Sequence, residues 1–277
     1  MLIETLIESL KIILIVFVLM VFVEFMELRY RDKIKRYLTN KPLIQYVVAS
    51  FLGIIPGCMD AFIVVSLYIS GVVGFGALTA VMIATAGDEA FVMLTVIPKT
   101  ALKLFLICFF IGIGGGFIAD KLVKRLNIKL SKKCRVEFHA EEEKFRLKHF
   151  VKEHVYAHII KKHLLKLSAW LFSTILIINY VMSYFNLEQI LPENKLLLLF
   201  IAALIGILPE SGPHLIFVML YSKNLIPFSV LLTSSIVQDG HGILPLLSYT
   251  IRDSVKVKLF NFLFGLIIGL IFLLFGF

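Results

Sequence analysis

Residues 5–28, 75–97 and 101–120 are each apolar over 20 residues or more, and comparable stretches run from 164 and to the C-terminus. About 20 apolar residues in a helix span the hydrocarbon core of a bilayer. Inside hydrocarbon the backbone finds no water, so a spanning segment must satisfy its own N–H and C=O groups. Runs of 18 or more apolar residues read as membrane-spanning helices. The chain reads as an all-α integral membrane protein. Composition agrees: 59% of residues are hydrophobic and 17% charged, with a mean hydropathy of +0.94. The first run opens on glutamates and has no small-residue cleavage site, so a removed signal peptide is not expected. Three scattered cysteines, Cys58, Cys108 and Cys134, give no disulfide framework.

The formal net charge is +9, and it is concentrated. Residues 29–41 hold six Lys/Arg and residues 121–166 hold fourteen, together 20 of the 28 in the chain. Basic loops stay on the cytoplasmic side of a membrane, so both segments are expected there. No aromatic and basic platform accompanies them, so nucleic acid is not an expected partner; membrane lipid is.

Shifted by 153 residues, the chain falls on itself without gaps. GIIPGCMDAFIVVSLYISGVVGFGALTAVMIATAGDEAFVML (53–94) lies on GILPESGPHLIFVMLYSKNLIPFSVLLTSSIVQDGHGILPLL (206–247). Gly53 meets Gly206, Pro56 meets Pro209, Tyr68 meets Tyr221 and Gly87 meets Gly240; further on, Gly112 meets Gly265 and Gly116 meets Gly269. Matches of Gly, Pro and Tyr at one offset point to internal duplication. The expected division is a first repeat over 1–120, a basic His-rich linker over 121–163 and a second repeat over 164–277.

Topology follows from parity. Residues 44–56 and 59–71 are each too short to cross and are parted at Pro56-Gly57, as either a re-entrant hairpin or two short tilted spans. Both readings leave an even number of crossings between the two basic segments. The first repeat then starts outside and the second inside, so the two are inverted, with about 8–10 transmembrane segments in all. Both termini are expected outside a plasma membrane. Inverted repeats with interrupted helices are an architecture of secondary transporters, whose sites lie near the midplane where the helices break.

Four breaks carry polar residues: IPGCMD (55–60), TAGDEA (85–90), LPESGPH (208–214) and VQDGHG (237–242). Pro56, Gly57, Gly87, Pro209, Gly212, Gly240 and Gly242 interrupt the helices. Cys58, Asp60, Asp88, Glu89, Glu210, Ser211, His214, Gln238, Asp239 and His241 are the side chains they present. A charge at bilayer depth costs about 3 kcal/mol or more, so five carboxylates and two imidazoles need compensation. Capping of the broken helix ends is one compensation. A cation is the other: carboxylate oxygen with imidazole suits a divalent first-row metal.

The pairs PGCMDAF…ATAGDEAFVML and LPESGPHLIF…SIVQDGHGILPLL resemble the signatures of a ten-transmembrane family of manganese transporters and arsenic efflux proteins, the heavy-metal exporters. The resemblance covers nearly the whole chain and implies efflux. The residues favour Mn²⁺ or a similar divalent ion over arsenite, which prefers several thiolates, because only Cys58 lies in a break. The function expected is a secondary active transporter that exports a divalent cation by alternating access, with proton antiport as a plausible coupling. An arsenical or organic-anion efflux carrier and a cation channel are the alternatives, and a homo-oligomer stays open. The core of the site is expected from Asp88, Glu89, Asp239 and His241, with Asp60, Glu210 and His214 completing or gating it. Neither a GxxxxGK[ST] loop nor HExxH spacing occurs, so an enzyme is not expected and no cofactor beyond the transported metal. The linker holds five of the seven histidines between 139 and 163; His149, Glu153, His154 and His158 share helical spacing and form a possible accessory metal element, set against a plain amphipathic surface helix.

Overall fold

The computed structural model describes residues 2–37, 41–57, 59–131, 155–156, 159–161, 163–184 and 193–277. It is helical, with no strand among the described residues. The helices of the first half are α1 (Leu2–Tyr37), α2 (Pro42–Gly53), α3 (Met59–Ile69), α4 (Phe75–Ala84), α5 (Glu89–Val96) and α6 (Pro98–Arg125). Those of the second are α7 (Leu165–Tyr184), α8 (Lys195–Gly206), α9 (Leu215–Ser222), α10 (Phe228–Val237), α11 (Ile243–Tyr249) and α12 (Ile251–Leu274). Single 3₁₀ turns, Gly212–His214 and Gly240–Gly242, open α9 and α11. Among the described residues, five helical stretches are long and apolar enough to cross a membrane: Leu2–Phe22, Phe75–Val96, Pro98–Arg125, Ile159–Met182 and Ile251–Leu274. This is a multi-span membrane protein.

Helix boundaries recur at the offset read from the sequence. α2 and α8 have the same length and end on Gly53 and Gly206. α4 and α10 each hold ten residues, followed by one extended residue, Thr85 or Gln238. Two residues after it stands a glycine in the left-handed region, Gly87 with φ +56° and Gly240 with φ +51°. A side chain is strained there, so glycine is the residue that lets the chain turn out of one half-helix and into the next. The short helices end alike. Gly71 (φ +79°) and Asn224 (φ +56°) close α3 and α9, and the N–H groups of Val72 and Leu225 reach back to the carbonyls of Leu67 and Leu220. α2 and α8, at 12 residues, are about 18 Å long, little more than half a hydrocarbon core.

Packing repeats too. α4 lies against α2 and α6, and α10 lies against α8 and α12. Lipid gives helices no hydrophobic drive to associate, so close approach of small residues does the work. A Cβ on Gly116 would sit 2.6 Å from the Gly76 carbonyl oxygen, and one on Gly112 would sit 2.9 Å from that of Ala80. Gly265 and Gly269 press likewise on Val237 and Thr233 of α10. Between the halves, α3 packs on α11 and α5 on α9. The residues 85–96 and 228–242 nearest these junctions are almost all buried, whereas α1, α6 and α12 present rows of exposed Leu, Ile and Phe outward. The core is thus formed by the broken helices and the lipid-facing shell by the unbroken ones.

One polar hub ties the linker to the bundle. Asp253, fully buried, accepts from Tyr68 Oη (2.8 Å) and from the Ser131 amide (2.9 Å), and pairs with Lys256 (2.8 Å). Lys256 also donates to the Lys129 carbonyl at 2.5 Å. The residues just after α6 are thereby fixed to the start of α12 and the end of α3.

Candidate functional site

The breaks at 85–90 and 237–242 meet. A Cβ built on Gly87 would lie 3.4 Å from Gly240 Cα, and one on Gly240 would lie 3.3 Å from Gly87 Cα. The two glycines are 153 residues apart, the offset at which the two halves of the sequence align, and each approaches the other. Their following residues, Asp88 and His241, are equivalent as well, and His241 Nδ1 lies 3.6 Å from Asp88 Oδ2. A third group comes from just before α7: His163 Nδ1 is 2.7 Å from the same Asp88 oxygen. The two imidazole rings stand edge to face with centroids 5.7 Å apart. Asp88, His163 and His241 each offer one ligand atom, and all three atoms lie within 4.8 Å of one another. One carboxylate with two imidazoles is a donor set that takes divalent first-row metals.

The turn between α8 and α9 closes this group. His241 Nε2 lies 3.3 Å from Glu210 Oε1, and Lys166 of α7 pairs with Glu210 Oε2. Ser211 is buried beside them, and its hydroxyl has no hydrogen-bond partner among the described residues. A cavity of about 10 Å³, room for one water or ion, is bounded by Asp88, His163, Lys166, Glu210, Ser211 and His241, with Trp170 and Gly212 at its edge. Gly212 is there because the indole of Trp170 occupies the space a Cβ would take.

Helix capping does not account for these carboxylates. Asp88 occupies the N-cap of α5 and Asp239 that of the following 3₁₀ turn, yet neither side chain makes a cap hydrogen bond. Asp88 turns to the histidines. Asp239 turns to α12, where it pairs with Lys258 (2.8 Å) and accepts from Asn261 Nδ2 (2.6 Å). Lys258 also donates to the Gly206 carbonyl at 2.9 Å, one of the groups α8 leaves unpaired at its end. Glu89 accepts from Gln238 Nε2 at 2.7 Å, which joins the two breaks a second time. His214 is buried with Nδ1 3.2 Å from Ser234 Oγ.

The polar break residues therefore sort into separate groups. Asp88, His241 and Glu210 come together; Glu89 pairs with Gln238; Asp239 is engaged by α12; His214 sits against α10. Cys58 and the linker residues His149, Glu153, His154 and His158 lie outside the described residues. Asp60 is at the start of α3, with its backbone alone described. Pro56 and Gly57 form the turn between α2 and α3, and Gly57 has φ +132°. Pro209 lies in the corresponding turn and Gly242 ends the turn into α11. Sequence reasoning missed His163, Lys166, Lys258 and Asn261. In the sequence, His163 is the last residue of the basic linker and nothing there joins it to the breaks. Lys258 and Asn261 sit in α12 where its charged first turns give way to apolar residues, and an ionisable residue within a span is itself a signal of a buried partner.

With the geometry in place, comparison with known proteins adds the family. One family model, described as "Putative, 10TM heavy-metal exporter", matches the chain over residues 10–167 and again over 131–275. The chain belongs to this family. No curated protein and no solved structure matches it. Membership agrees with a multi-span membrane transporter of heavy metals.

Proposed function

We propose that this chain is a secondary active exporter of a divalent metal cation, with Mn²⁺ as the favoured substrate. The observation that carries the proposal is the Asp88, His163 and His241 group, whose ligand atoms lie within 4.8 Å of one another and which draws on both halves of the chain. Glu210 and Ser211 add oxygens at the same cavity. An oxygen-rich set with two imidazoles suits Mn²⁺, Fe²⁺ or Zn²⁺ and offers nothing to arsenite. Cys108, the cysteine among the described residues, is buried in α6 among apolar residues.

The mechanism follows from the two halves. They insert in opposite directions, meet at Gly87 and Gly240, and place both termini outside the plasma membrane with the linker in the cytoplasm. A cation enters from the cytoplasmic side, is held between Asp88, His163 and His241, and is released outward when the short helices α2, α3, α8 and α9 shift against the unbroken spans. Carboxyl and imidazole groups shed protons when metal binds. Protons returning from outside reload them, which couples export to the proton gradient. Catalytic chemistry has no role in this cycle.

The test is metal flux in liposomes containing the purified chain. Wild type moves Mn²⁺ saturably and faster when protons can return against it. Asp88→Asn lowers that flux at least about tenfold while the amount of inserted protein stays the same. Wild-type flux in Asp88→Asn contradicts the site; ohmic currents in place of saturable flux contradict the carrier.

A further inference from the structure

Resting on that site, we infer that Lys166 is a tethered competitor for the transported cation: its ammonium holds Glu210 when the metal is away and surrenders it when the metal arrives. Among the described residues, two lysines reach break carboxylates, and they differ. Lys258 is held twice, by Asp239 and by the Gly206 carbonyl, with its side chain 14% exposed. Asp239 in turn is fully buried and held by Asn261. That pair is fixed. Lys166 reaches Glu210 from an exposed position, with its side chain 52% accessible against 23% for Glu210. An ion pair this exposed is weak, because solvent screens it and the lysine regains rotamer freedom on leaving.

Placement makes the competition direct. His163, Lys166 and Trp170 lie three and four residues apart, so one helical face carries a ligand, a counter-charge and the indole that rims the cavity. Glu210 bridges the two: one oxygen takes Lys166 and the other lies 3.3 Å from His241, which itself faces Asp88. With Lys166 seated, the ammonium offsets one of the two carboxylate charges at the cavity. With Lys166 withdrawn, Asp88 and Glu210 together match a divalent ion. Ser211, buried and without a hydrogen-bond partner among the described residues, supplies a further oxygen at the same cavity. A competitor fixed to the chain acts at a high effective concentration. It weakens binding enough for release, and it favours ions of charge two over single charges.

Binding of Mn²⁺ to the purified full chain in detergent tests this. Lys166→Gln binds Mn²⁺ about two- to fivefold more tightly than wild type and turns over more slowly in liposomes; Lys166→Arg returns both values toward wild type. In the wild-type chain, acetylation of Lys166 by an amine-reactive reagent rises when Mn²⁺ is added. This second readout decides the matter on the wild-type chain alone if Lys166→Gln does not accumulate. Equal or weaker Mn²⁺ binding by Lys166→Gln, or Lys166 acetylation indifferent to saturating Mn²⁺, overturns the competitor while Asp88→Asn still abolishes binding and the site stands. Unchanged Mn²⁺ binding in Asp88→Asn overturns the site and the competitor with it.

Discussion

Lys258 and Asp239 show what a charge inside this bundle requires. Asp239 is fully buried, with an ammonium at 2.8 Å and an amide at 2.6 Å. A buried ion pair adds little net stability, yet removing one partner leaves the other stranded and costs about 3–5 kcal/mol. Lys258→Met is therefore expected to lower the melting temperature of the detergent-solubilised protein sharply, and Lys258→Met with Asp239→Asn to recover most of the loss. A double variant as unstable as the single one contradicts the pairing. The identity of the polar residues was legible in the sequence, because a carboxylate or imidazole amid apolar runs stands out. Their partners were not. The sequence places Asp88, Glu89, Asp239 and His241 on two adjacent breaks and suggests one pool; the structure turns Asp88 one way and Asp239 another, toward a lysine on α12. Which way a side chain turns after a left-handed glycine depends on the neighbour helix, and spacing alone does not carry that.

At the scale of elements, the close contact of α4 with α6 is the one most open to test. Gly76 and Gly116 face each other so closely that a Cβ on either would come within about 2.6 Å of the other's carbonyl oxygen. Gly116→Val must push the helices apart, and overpacking of this kind costs about 1–3 kcal/mol. A lower melting temperature checks it, and Gly114→Val serves as control, since a Cβ on Gly114 would meet nothing within 4 Å. Equal stability of the two variants removes the packing argument. The elements themselves were well legible: the Pro-Gly turn between α2 and α3, the break after α4 and the 153-residue offset all follow from Gly, Pro and run length. The helical continuation that carries His163 toward the site was not, because its basic, His-rich composition resembles a surface linker.

For the whole molecule, the proposed function requires the two halves to insert in opposite directions, and this is a matter of topology. If both basic segments face the cytoplasm, the termini share the opposite side. Single cysteines introduced near residue 2 and near residue 276, in a chain with the native cysteines replaced, should react with a membrane-impermeant thiol reagent in intact cells, while one at residue 129 should not. Reaction of one terminus without the other breaks the parity on which the inverted arrangement depends. Coupling belongs to this scale too. Because Asp88, His163 and His241 must give up protons to hold a metal, Mn²⁺ flux in liposomes should rise when the pH gradient drives protons against it. Flux blind to that gradient removes antiport while leaving the site.

If a divalent ion is held between Asp88, His163 and His241, electron spin-echo spectroscopy of bound Mn²⁺ reads its ligands. Nitrogen modulation from coordinated imidazole is expected, diminished in His241→Ala and in His163→Ala and lost with binding in Asp88→Asn. Mn²⁺ bound without nitrogen coupling, or with a coupling that all three substitutions leave unchanged, contradicts it.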